Sequence, residues 1–317
     1  MTTGYLDFEQ PIVELEKKIN ELKRFSSSKD INITDEVDKI ENKMKKVQKD
    51  ILTKLTPLQR VQLSRHINRP YTLDYIKHIF KDFHELHGDR KYKDDPAIVG
   101  GLAKLNNETV VVIGNQKGRN TNEKLLRNFG MAHPEGYRKA LRLYEMAERF
   151  KKPIITFIDT PGAYPGIAAE ERGIAESIAT NLQRMIELRV PVIAVVIGEG
   201  GSGGALALGV ANRVLMLEYS TYSVISPEAC SSILFKDGSK TEYVAEALKI
   251  TSNDMLNFGI VDDIIKEPKG GAHKSHEKMA QNMKKALTKH LDELNKLSIA
   301  DLLEDRYDKF RKIGSLK

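Results

Sequence analysis

The sequence is short of thiols: among 317 residues there is one cysteine, Cys230. A lone thiol excludes an internal disulfide framework and any cysteine-built zinc site within this chain, and it suits a reducing compartment. Long apolar runs are lacking as well. The longest strongly apolar stretch, 190–197, contains a proline and is too short to span a bilayer. The first fifteen residues are acidic and carry no apolar signal core, so no membrane association is expected and the expected location is the cytoplasm. Charge of one sign is also scarce: 50 basic residues against 44 acidic ones leave +6. An excess so modest and dispersed suits phosphate-bearing ligands or an acidic protein surface, and makes nucleic acid a less expected partner. Hydrophobic residues at 40% and charged residues at 30% describe an ordinary globular chain with room for a large core.

Helical periodicity dominates both ends. Pro11 suits a first helical turn, and Ile12, Leu15, Ile19 and Leu22 follow at helical spacing. The polar break Ser26-Ser27-Ser28-Lys29-Asp30 separates this helix from a second one. Asp35 and Glu36 open that second helix, and Val37, Ile40, Met44, Val47 and Ile51 carry it. The pair predicts a helical hairpin, either packed on its own domain or serving as a docking arm. Near the other end, Met279, Met283, Leu287, Leu291 and Leu294 repeat the spacing, and Ser298 with Asp301 has the form of a capping box.

Between these ends, β-rich runs at 109–114, 154–159, 192–198, 214–217 and 223–226 alternate with helical stretches at 137–150, 168–188 and 205–211. The alternation predicts an α/β domain with adjacent strands parallel. Such sheets bind ligands at the carboxyl ends of their strands. The expected division is a helical arm over 1–66, a core over 67–272 and a C-terminal helical segment over 273–317.

Two glycine-rich segments sit at such strand ends. In Gly198-Glu199-Gly200-Gly201-Ser202-Gly203-Gly204, five glycines in seven positions let backbone approach a ligand with no Cβ in the way. A helix opening there leaves its first N–H groups unpaired. The pattern points to an anion or oxyanion receptor built of main chain. Gly198-x-Gly200-x-x-Gly203 also matches the dinucleotide fingerprint formally, with Glu218 near the acidic position. An NAD(P)- or flavin-dependent oxidoreductase is therefore the alternative, although only about two or three helical turns fit before Val214.

The second segment, Asp159-Thr160-Pro161-Gly162-Ala163-Tyr164-Pro165-Gly166, contains an Asp-Thr-Pro-Gly string also found in GTP-binding proteins. The chain has no Gly-x-x-x-x-Gly-Lys-Ser/Thr loop to hold nucleotide phosphates, so that reading fails. What remains is a loop stiffened by two prolines, offering N–H groups at Gly162, Ala163 and Gly166. Two rigid segments with free amides suit chemistry that passes through an enolate, such as that of an acyl-CoA thioester.

No nucleophile–base pair is legible. Gly200-Gly201-Ser202-Gly203-Gly204 contains a Gly-x-Ser-x-Gly string, which makes a hydrolase conceivable, but Ser202 has no histidine partner in a readable pattern. Cys230 reads as a buried small hydrophobe and His133 as a structurally bonded loop histidine. Lys117, Arg119, Lys124 and Arg127 form a basic cluster after the 109–114 run. It is either a solvated loop or a contact for CoA phosphates, a carrier protein or a partner subunit.

Longer motifs carry a family resemblance. They are Leu6-Asp7-Phe8-Glu9-Gln10-Pro11, Arg69-Pro70-Tyr71-Thr72-Leu73-Asp74-Tyr75, Gln116-Lys117-Gly118-Arg119, Arg127-Asn128-Phe129-Gly130-Met131 and Pro134-Glu135-Gly136-Tyr137-Arg138-Lys139-Ala140. Ile158 to Gly166, Ala169-Glu170-Glu171-Arg172-Gly173, the glycine run itself and Tyr222-Ser223-Val224-Ile225-Ser226-Pro227-Glu228 complete the set. Together they resemble the α subunit of bacterial acetyl-CoA carboxylase carboxyltransferase over essentially the whole chain. Asn122 and Ala229 depart from the lysine and glycine expected there, and neither lies in the glycine run.

The resemblance implies an α/β crotonase-like (ClpP/crotonase) fold of ββα units and an α2β2 enzyme with active sites where α meets β. It implies transfer of a carboxyl group from carboxybiotin, on the biotin carboxyl carrier protein, to acetyl-CoA, giving malonyl-CoA for fatty acid synthesis. Biotin carboxylase is a further implied partner. By the same resemblance, Gly203 and Gly204 hold the ureido oxygen of biotin, and Gly162, Ala163, Gly166, Gly200 and Gly201 line the carboxybiotin site. The β subunit's own glycine pair holds the acetyl-CoA enolate, and zinc belongs to a cysteine ribbon in that subunit. This chain itself is expected to bind no metal and no resident cofactor.

Overall fold

Alternate residues of a strand face opposite ways, and that parity sorts the core into two layers. Val111 and Ile113, Ile154 and Ile158, and Val192, Ala194 and Val196 face one side. There they meet Tyr137, Ala140, Leu143, Tyr144 and Ala147 of helix Pro134–Arg149 and Met185 of helix Ile174–Glu187. Val110 and Val112, Ile155 and Phe157, and Ile193, Val195 and Ile197 face the other side. That face is covered by Tyr75, Ile76 and Ile79 of helix Thr72–Ile79 and by Met279, Met283, Leu287, Leu291 and Leu294 of helix His276–Leu294. Each fully buried Val, Leu, Ile, Phe or Met side chain among them contributes about 1.5–3 kcal/mol. A sheet covered on both faces explains why its central strands read as unbroken apolar runs.

The computed structural model describes residues 4–29 and 34–315, the side chains of 27–29 excepted. Its sheet comprises β1 Lys81–Glu85, β2 Ile98–Leu105, β3 Glu108–Asn115, β4 Ile154–Thr160, β5 Val192–Gly201, β6 Arg213–Leu217, β7 Thr221–Ser223 and β8 Asp263–Ile265. They lie in the order β1-β2-β3-β4-β5-β6-β8, with β7 also beside β5. From β3 to β8 neighbours run parallel, as expected. β1, β2 and β3 form an antiparallel meander instead. The sheet divides along β5: Ile193–Val196 pairs β6, and Glu199–Gly201 pairs β7.

Two helical expectations away from the glycine run change. The stretch 168–188 breaks at Gly173, whose φ of 79° stops one helix at Glu171 and lets another start at Ile174. The first N-terminal helix, Gln10–Lys29, runs through the serines of the expected polar break; Asp30 lies outside the described residues. Its hairpin mate is Thr34–Thr53, with Val37 buried. No described helix is long and apolar enough to cross a membrane.

Candidate active site

Because β3, β4 and β5 run parallel, their carboxyl ends emerge together. β5 does not end in a loop: Gly198 to Gly201 remain in the strand, and helix Ser202–Leu206 begins at once. The change of direction is made at Ser202, whose φ of 54° places a non-glycine residue in the left-handed region, a strained state concentrated at functional sites. This geometry removes the dinucleotide reading. Two of the fingerprint's glycines are strand residues, and the helix after them spans five residues. The expected helix 205–211 shrinks accordingly.

Neighbouring glycines are needed for different reasons. A Cβ on Gly201 would lie 2.1 Å from the carbonyl oxygen of Pro161, and one on Gly204 would lie 2.6 Å from the carbonyl carbon of Gly162 and 2.7 Å from the Ala163 nitrogen. These two lock the β5 end against the β4 loop, backbone on backbone. A Cβ on Gly203 would meet only Ile178, at 3.5 Å, an ordinary contact. The fold therefore demands glycine at 204 but not at 203. Neither Gly203 nor Gly204 donates its N–H to another described residue, as expected for the first turn of a helix.

Beside Ser202 and Gly203 opens a cavity of about 490 Å³, walled by Leu206, Tyr222, Met255 and Phe310 among others. Its size and apolar wall are those of a small-molecule site. Among the expected contacts in the 159–166 loop, Gly162 is not available: its N–H donates to Thr160 Oγ1 at 3.1 Å, and the same hydroxyl donates to Gly162 O at 2.6 Å. The carbonyl of Gly166 accepts from Ala169 N at 2.8 Å and starts helix Ile167–Glu171. Ala163 lies against Gly204, while Gly200 and Gly201 pair with Tyr222 and Ser223 of β7.

The basic cluster disperses. Lys117 Nζ lies 2.8 Å from both Asp159 Oδ1 and Glu199 Oε1. Arg119 donates to Ile67 O at 2.9 Å, pairs with Asp74 and stacks over the Tyr71 ring. Arg127 donates to Pro96 O at 2.8 Å. Lys124 alone of the four has no ionic or hydrogen-bonding partner for its ammonium among the described residues.

Sequence reasoning missed the ion network that Lys117 anchors. Arg65 Nε donates to Glu199 Oε2 at 2.7 Å, and Arg65 Nη1 to Glu228 Oε1 at 2.7 Å. Burial pushes the Lys117 ammonium down, but Asp159 and Glu199 outweigh it and hold the group above its ordinary value. Burial lifts the Asp159 carboxyl in spite of Lys117. For Glu199 burial acts in the same upward sense, yet Lys117 and Arg65 win and hold it below the usual range. A signal was present: Glu199 is the one charged residue inside the glycine run.

Other residues keep quiet roles. Cys230 is buried in helix Pro227–Phe235, and His133 packs edge-on against Tyr164 at 4.1 Å. Ser202 makes no side-chain hydrogen bond among the described residues, so a hydrolase finds no base here. Glu9, His66 and His273 bring ligand-type atoms within 4.8 Å of one another. Both ring nitrogens of His66 are nevertheless engaged, by Gly4 O at 2.7 Å and Asn68 N at 3.1 Å. The trio acts as a clamp between the N-terminal arm and the rest of the chain.

The architecture has known counterparts. Transcarboxylase 12S matches with a TM-score of 0.58 at 20% identity, covering 72% of this chain and 42% of that one. A Pseudomonas malonate decarboxylase hetero-tetramer in complex with coenzyme A matches with a TM-score of 0.58 at 17% identity, covering 74% and 91%. The chain thus shares the fold of these proteins, a crotonase-like one. Residues 5–314 match the model of the acetyl co-enzyme A carboxylase carboxyltransferase-like family, and the chain belongs to that family. The acetyl-coenzyme A carboxylase carboxyl transferase subunit alpha of Geobacter metallireducens is 60% identical over 309 residues, 98% of this chain and 97% of that one. Its Coxiella burnetii counterpart is 57% identical over 314 residues, 99% of each. The chain is accordingly a carboxyl-transferring enzyme subunit with a β-subunit partner, and the oxidoreductase alternative falls.

Proposed function

We propose that this chain, in an α2β2 complex, holds carboxybiotin while its carboxyl group passes to acetyl-CoA. The single observation behind the reading is the pair of unpartnered amides at Gly203 and Gly204, with Gly203 in the wall of an apolar cavity of about 490 Å³. The N–C bond to the carboxyl group of carboxybiotin breaks, releasing CO₂ and leaving the electron pair on the ureido group. The two amides stabilise the charge gathered on the ureido oxygen. The biotin anion then takes a proton from the acetyl methyl group, and the enolate attacks CO₂ to give malonyl-CoA. Preorganised donors and orientation carry such a reaction without a side-chain base.

The biotin carboxyl carrier protein and biotin carboxylase are the proposed further partners, and the cytoplasm is the proposed location, consistent with a single cysteine. Zinc, if the complex carries it in a cysteine ribbon, belongs to the β subunit, because Cys230 is alone here.

The test centres on Gly203, since a bulky residue at Gly204 would collide with the Gly162–Ala163 backbone. Gly203→Pro removes one amide donor from the first turn of the helix. In the complex reassembled with the β subunit, kcat should fall by about 100-fold or more, while Gly203→Ala, which keeps the donor, should lose far less. Equal rates for Gly203→Pro and the parent complex, with unchanged melting, would refute the reading.

A further inference from the structure

We infer that Lys117 is a positioning residue for carboxyl transfer, bridging the carboxyl ends of β4 and β5 so that the amides of Gly203 and Gly204 stand correctly against the Gly162–Ala163 backbone. The inference rests on the carboxyltransferase reading but concerns a residue that touches neither substrate in it.

The geometry leaves little alternative use for this ammonium. It lies 2.8 Å from Asp159 on β4 and 2.8 Å from Glu199 on β5, with its side chain 14% exposed. Asp159 Oδ1 also accepts from Glu199 N at 3.2 Å, so the two strand ends meet at one carboxylate. The register between β4 and β5 shifts between Ile158 and Thr160. The regular ladder is therefore interrupted where the bridge sits. Asp159 is one residue from Thr160, whose hydroxyl shapes the Gly162 turn; Glu199 is three residues from the strained Ser202. A small change in the distance between these carboxylates is thus delivered directly to both halves of the amide site.

Removing the Lys117 cation would leave Asp159 without an ion-pair partner among the described residues beside Glu199, whose other oxygen still accepts from Arg65 Nε at 2.7 Å. Like charges in one site raise the affinity of the pair for a proton. A proton taken up by the pair can itself bridge the two oxygens, so a variant lacking Lys117 should recover as pH falls. A glutamine at 199 should recover at all pH, because its amide N–H can donate to Asp159.

The experiment compares Lys117→Met, Lys117→Met/Glu199→Gln and the parent chain, each assembled with the β subunit, in carboxybiotin-dependent carboxylation of acetyl-CoA. For Lys117→Met near pH 8 we expect kcat to fall by about 10- to 100-fold, the scale of a misplaced catalytic group, with KM for acetyl-CoA within about two-fold. Most of that loss should return near pH 6 and in the double variant near pH 8. A kcat within about two-fold of the parent, or a loss that is the same at every pH and in the double variant, overturns the inference. Should the single variant fail to assemble, the double variant decides: assembly with recovered kcat upholds the bridge, and assembly with a persistent ten-fold loss (about 1.4 kcal/mol) overturns it. Amide hydrogen exchange over 159–166 and 198–206 reads the same tie without turnover. Faster exchange in Lys117→Met upholds the bridge, and unchanged exchange overturns it. An inactive parent complex would instead sink the carboxyltransferase reading, which keeps the two failures apart.

Discussion

Two segments leave the carboxyl ends of parallel strands in the same sheet and treat charge in opposite ways. The one after β3, from Lys117 to Arg127, carries four cations and engages three of them inside the chain. The one at the end of β5 carries no cation, and its short helix presents two amides that nothing in the described chain occupies. Formal charge in a sequence is therefore a poor guide to electrostatic availability. A side chain long enough to reach a ligand is also long enough to reach a carboxylate or carbonyl nearby, whereas a helix's first N–H groups have no partner to turn to.

The comparison breaks most sharply if cations engaged inside the chain prove dispensable. Arg69 is 1% exposed, pairs with Glu267 through bonds of 2.7 and 2.9 Å, and donates to Ile197 O just before the glycine run. Arg69→Met strands a buried carboxylate and should cost about 3–5 kcal/mol in denaturant unfolding. A loss below 1 kcal/mol would mean that Glu267 finds other compensation.

A smaller effect is expected from the Glu9–His66–His273 clamp. Burial first, and His273 second, push the His66 imidazole down to about 4 from an ordinary value near 6.5. The folded state then prefers the neutral ring, so nothing is lost above pH 6.5 and stability falls as pH drops from there toward 4. The chain should be about 2 kcal/mol less stable near pH 5 than near pH 7 on this account. His66→Gln should flatten that part of the stability–pH curve measured by urea unfolding.

Smallest of all is Lys124, the cation left over. Lys124→Ala should leave melting unchanged and raise the KM for acetyl-CoA by at most about five-fold, the reach of one exposed ionic contact. A far larger rise would return the basic segment to the ligand and erase the contrast with the glycine run.

Much was legible in one dimension. Val110 to Ile113, Ile154 to Ile158 and Val192 to Ile197 announce buried strands because both their faces are covered, and the glycine run marks where backbone must come close. β2 was not legible: Ile98-Val99-Gly100-Gly101 breaks the apolar pattern, and its place is set by pairing with β3. Nor was the Lys117 bridge, since its partners stand 42 and 82 residues away in sequence.

The sequence alone determined the family, the parallel core and the two glycine-rich strand ends, because each is written in contiguous residues whose local preferences agree. Only tertiary structure decided which groups in those segments are free. Gly162 donates its amide to Thr160, Gly204 is bound to be glycine by the Gly162–Ala163 backbone, and Gly203 is not. Availability is a property of neighbours in space, and close packing assigns those neighbours from distant parts of the chain.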